Sequence, residues 1–145
     1  MPFLRRYTII LPLTAVLSFS LVSCQSKVSQ CNKLIQVANQ AVSQAKTATN
    51  GGTTSNPDAM LKAANTMDKA AKDMQGINVS DRELKNYQAG FIKMYQQTSK
   101  ATRDFVSAFK KKDRTVAETA LKNLQQATVP EQQLVTGLNS YCKPK

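Results

Sequence analysis

Between Leu84 and Ala108 the chain keeps one spacing. Leu84, Tyr87, Phe91, Met94, Thr98, Ala101, Phe105 and Ala108 follow one another at steps of 3, 4, 3, 4, 3, 4 and 3 residues. This is the period of a helix buried along one seam, and a strand, whose faces alternate every second residue, does not present it. Ile92, Tyr95, Val106 and Phe109 widen the seam to the breadth that a bundle helix needs. A helix so long and so apolar on one side needs other helices to cover it.

The rest of the chain supplies them. Val28, Cys31, Ile35, Ala38, Val42 and Ala45 predict a helix over about 28–49, stopped by Asn50-Gly51-Gly52. Met60, Ala64, Met67, Ala71 and Met74 predict a second over 57–75. Pro57 suits its first position, Asn56 its cap and Gly76 its end. Ser80 and Glu83 have capping-box spacing ahead of the long seam, with Val79 and Leu84 as its hydrophobic staple. Lys110-Lys111-Lys112 closes that helix. A further stripe, Val116, Ala117, Ala120, Leu121, Leu124 and Ala127, is interrupted at Pro130, where Thr128 and Glu131 again have capping-box spacing. Leu134, Val135, Leu138 and Tyr141 finish the broken arm. No run alternates with period two. The expected fold is all-α, an up-down-up-down four-helix bundle over 28–145, its last arm broken near Pro130. On helix lengths alone, the hairpin turning at Lys110 to Arg114 is expected to project beyond the first two arms.

Composition narrows the chemistry. The 145 residues include 20 Lys and Arg, 9 Asp and Glu, three Cys, no Trp and no His, for a formal charge of +11. Without His the commonest general base and zinc ligand are missing, and three Cys fall short of a four-ligand zinc site. The nine acids are scattered, so no catalytic residues, no metal and no cofactor are expected, and the chain does not read as an enzyme. Met60, Met67 and Met74 read as adaptable core, and Tyr87 and Tyr95 as core with a wet hydroxyl.

The first 24 residues address the chain. Arg5 and Arg6 precede the uncharged, mostly apolar run from Tyr7 to Val22, too short for a spanning helix. The run ends in Leu21-Val22-Ser23-Cys24, which resembles the lipobox of bacterial lipoproteins. The resemblance implies a signal peptide over 1–23, a diacylglycerol on the Cys24 sulfur, usually an acylated amino group, and a short tether over 24–27. It also implies a place in the cell envelope, on the extracytoplasmic side of a bacterial membrane. Around Cys31-Asn32-Lys33-Leu34-Ile35 the chain resembles small, mostly helical cyanobacterial lipoproteins. With Cys24 taken by lipid, Cys31 and Cys142 remain, nearly at the two ends of the mature chain, where an antiparallel bundle makes neighbours of them. A structural disulfide is expected there rather than a redox pair, because the two are not in a C-x-x-C arrangement.

Two function classes follow. The first is a non-catalytic interaction or structural module, anchored to the membrane through its lipid. Its candidate contact for an acidic protein or an anionic polymer is Lys110, Lys111, Lys112 and Arg114, a run that otherwise reads as a solvated helix end. Nucleic acid is not an expected partner, because the signal exports the chain. The second is a small-molecule or lipid carrier, which requires a preformed apolar pocket of a few hundred Å³ between helices.

Overall fold

The computed structural model describes residues 26–143. The expected signal peptide over 1–23 and the expected lipidation site, Cys24, lie outside the described residues. The described chain is helical and, within it, strands are absent: α1 (Lys27–Ala48), α2 (Pro57–Gln75), α3 (Arg82–Lys110), α4 (Arg114–Thr128) and α5 (Glu131–Cys142). The helices form four antiparallel arms, α4 and α5 making up the last one. None is long and apolar enough to cross a membrane.

Several ends obey the local signals. Ser26 caps α1 by accepting from the Ser29 amide at 3.2 Å, and Asn56 caps α2 by accepting from Asp58 and Ala59. α1 and α3 both end in a left-handed residue, Asn50 at φ 48° and Lys112 at φ 58°. The next amide in each case, Gly51 or Asp113, closes on a carbonyl five residues back, Lys46 or Ala108, in the Schellman pattern.

Two expected caps are replaced. α3 is capped by Asp81, whose carboxylate accepts from the Leu84 amide at 2.9 Å, and not by Ser80. Ser80 is held elsewhere: its amide donates to Gln30 Oε1 at 2.8 Å and its hydroxyl accepts from Gln30 Nε2 at 3.0 Å. At the break, the Thr128 hydroxyl donates back to Gln125 and Leu124, and Pro130 starts α5 with no side-chain cap. Both Val129 and Pro130 keep right-handed helical dihedrals, so the arm continues in one direction.

The core is unevenly distributed. Cys31, Leu34, Ala38, Met74, Val79, Leu84, Phe91, Met94, Tyr95 and Leu138 form one buried cluster at the end where α1 begins and α5 finishes. Leu34 replaces Ile35 at the centre of the α1 stripe, and Val28, expected on that stripe, is 66% exposed. The other end is thin. There α3 and α4 meet through Ala101, Ala108, Ala120 and Ala127, and small side chains let the two backbones approach closely. α1 packs on α2 and lightly on α5 and α3, and forms no packed face with α4. The bundle therefore closes fully only at its first end, and Val116 and Leu121 of α4 stay partly exposed.

That closed end is clasped covalently. Cys31 and Cys142 form a disulfide with Cα atoms 5.8 Å apart, joining α1 to α5 across 111 residues of chain. In the chain-entropy account a loop of that length is worth about 4.7 kcal/mol. Polar contacts tie in the α2–α3 connection: the Tyr141 hydroxyl donates to Asp81 at 3.0 Å, and Lys27 Nζ lies 3.6 Å over the Tyr141 ring. The long hairpin does not project beyond α2. Lys110 Nζ lies 3.6 Å from Asp58 Oδ1, and Arg103 pairs with Asp68 at 2.6 Å, so α2 starts level with the end of α3.

Candidate functional site

The basic run sits at the end opposite the disulfide, where the α1–α2 loop and the α3–α4 turn meet. Lys110 ends α3, Lys111 caps it, Lys112 makes the left-handed turn and Arg114 opens α4. The sequence spacing did bring the four together. It did not reveal their counter-charges. Lys110 faces Asp58, Arg114 Nε donates to Glu118 at 2.9 Å, and Asp113 caps α4 between them. All three contacts are exposed, so they screen the tip more than they stabilise it. Phe109, 55% exposed, and Val116, 50% exposed, add apolar surface at the same place.

A second feature lies on the flank and was not legible as a site. Where α1 leaves α5, a groove of about 470 Å³ opens between α1, α3 and α5. Its floor is apolar: Ala38, Phe91, Met94, Tyr95 and Leu138 are all buried. Ile35, Val42 and Val135 form its walls, and its rim carries the neutral groups Asn39, Ser43 and Asn139 with one cation, Lys46, and one carboxylate, Glu131. The Phe91 and Tyr95 rings lie 5.9 Å apart in tilted contact.

Tyr95 is the unusual member. It is 2% exposed, yet its hydroxyl makes no hydrogen bond with any described residue. Burial, and then the nearby Glu131 carboxylate, push its pKa well above the ordinary tyrosine value, so the hydroxyl remains a proton donor. A buried donor without an acceptor costs free energy until something pairs with it. Tyr95 is thus a core ring, as expected, set against the groove rather than at the outer surface. Tyr95 lies beside the α3 seam, and nothing in the spacing distinguishes it from an ordinary core ring.

Two carboxylates with shifted pKa values are engaged structurally. Asp68 accepts from Arg103; desolvation pushes its pKa up, but the bonds from Ser99 and Arg103 and the charges of Arg103 and Lys72 together outweigh it and lower the pKa. Asp81 is held low by the Leu84 amide and by Tyr141, against some desolvation. Among the described residues no cluster of His, Cys, Asp and Glu could hold a metal ion. No protein family, curated protein or solved structure matches this chain.

Proposed function

We propose that this chain is a lipid-anchored, non-catalytic binding module on the extracytoplasmic side of a bacterial membrane. The observation that carries the reading is the run Leu21-Val22-Ser23-Cys24 behind a basic and apolar leader. Gln25 alone separates Cys24 from Ser26, the cap of α1, so a lipid on Cys24 would hold the disulfide-clasped end near the bilayer. Two or three acyl chains make a firm anchor where one does not. The basic tip would then stand at the far end, where its own bilayer is an awkward partner and an acidic protein face or anionic polymer is a better one. Intact mass should show a mature chain starting at Cys24 and carrying acyl chains, and Cys24→Ala should leave the protein unprocessed or release it from membranes. A mature chain with a free Cys24 thiol would overturn the anchor. Changing Lys110, Lys111, Lys112 and Arg114 together to Gln should weaken retention of a co-purifying partner and flatten its salt dependence. Unaltered retention would reduce the tip to a solvated helix end.

A second reading, a small-molecule carrier, is favoured by the flank groove. Its volume of about 470 Å³ falls within the range of ligand sites, and its floor is apolar.

A further inference from the structure

The groove holds three kinds of chemistry in a definite arrangement. Its floor of Phe91, Met94 and Leu138 favours an apolar body. Its rim offers neutral amides and a hydroxyl, with Lys46 and Glu131 opposite in sign, so no excess charge selects an ion. A charged group on the buried floor would lose its hydration with no paired counter-charge below it. Within that floor stands one donor, the Tyr95 hydroxyl, which makes no hydrogen bond with a described residue.

We infer that the groove between α1, α3 and α5 binds an uncharged, largely apolar molecule whose single hydrogen-bond acceptor, a carbonyl or ether oxygen, meets the Tyr95 hydroxyl. This rests on the carrier reading and names the ligand class for it. The two outer groups of the rim, Asn39 and Asn139, sit on α1 and α5 and would contact the solvent-facing edge of the ligand. The Tyr95 hydroxyl selects against pure hydrocarbons, because they offer the donor no acceptor. Against carboxylates it is the apolar floor that selects, through the cost of desolvating them, with the Glu131 carboxylate on the rim adding like charge.

Benzophenone is a suitable probe, having two rings, one ketone and no charge, and it inserts into nearby C–H bonds under ultraviolet light. The full mature protein in phosphatidylcholine nanodiscs should be labelled saturably, with the modified peptides covering Met94, Val135 or Leu138. Tyr95→Phe, which keeps the ring and removes only the hydroxyl, should raise the half-saturating concentration about 3- to 10-fold. The anionic analogue 4-benzoylbenzoate should label the groove more weakly than benzophenone. Val135→Trp, placed on the partly exposed wall, should abolish the labelling without disturbing the floor, which keeps the test open if Tyr95→Phe folds poorly. Saturable groove labelling that ignores Tyr95→Phe, or that is stronger with 4-benzoylbenzoate, would overturn the ligand class and leave a carrier standing. No saturable labelling in the groove would overturn the carrier reading and this inference with it.

Discussion

Lys112 shows how one residue can carry two meanings. In sequence it belongs to a run of cations, but its φ of 58° makes it the left-handed terminator of α3. A side chain with a Cβ is strained there by roughly 1 kcal/mol, and Gly is the residue that turn favours. Lys112→Gly should therefore raise stability by about 0.5–1 kcal/mol, net of the entropy Gly adds to the unfolded chain. Chemical denaturation of the two proteins measures it. A decrease would mean that the lysine side chain contributes more than its exposed position suggests. Asp81 displaced Ser80 as a cap for a comparable reason: Ser80 is already bound to Gln30, 50 residues earlier in the chain.

Between elements, the α3–α5 crossing depends on two glycines. A Cβ on Gly137 would lie 2.8 Å from the Tyr87 ring and hydroxyl, and one on Gly90 would lie 2.6 Å from Leu134 Cδ2. The aromatic ring is rigid, whereas the Leu134 methyl ends a rotatable side chain. Replacing a helical Gly by Ala gains about 1 kcal/mol of propensity, and overpacking costs about 1–3 kcal/mol. Gly137→Ala should thus be destabilising by up to about 2 kcal/mol, and Gly90→Ala close to neutral. Thermal unfolding followed by circular dichroism separates the two, and equal losses would contradict this account of the crossing.

For the molecule as a whole, the pH response should be a plateau with two edges. Asp68 and Asp81 have folded pKa values below their ordinary range, so their contribution is present above about pH 4 and lost as the pH falls further. Tyr95 and Tyr141 are raised, Tyr95 by burial and Glu131, Tyr141 by burial and its bond to Asp81. Their contribution is present below about pH 10 and lost as the pH rises beyond it. With no His in the chain, the melting temperature should stay nearly level between about pH 5 and 9. A step near pH 6.5 in a melting series would show that another group titrates on unfolding.

Local periodicity accounts for the features that were legible before folding. Helix faces repeat every three to four residues, so the spans of α1 and α2 were readable to within a residue, the existence of the later helices with them, and the break at Pro130 followed from its missing amide. The Cys31–Cys142 disulfide was readable too, because antiparallel arms of an even number bring the chain ends together. Only tertiary structure decided which arms touch. Ala-rich faces let α3 and α4 approach closely, and α1 packs on α2 and lightly on α5 while leaving α4 uncovered. From that one asymmetry come the partly exposed face of α4 and the groove beside α1. That the Tyr95 hydroxyl makes no hydrogen bond with a described residue was not readable, because the residues around it come from α1 and α5, tens of residues away in the chain, and helical spacing within α3 carries no record of what they offer.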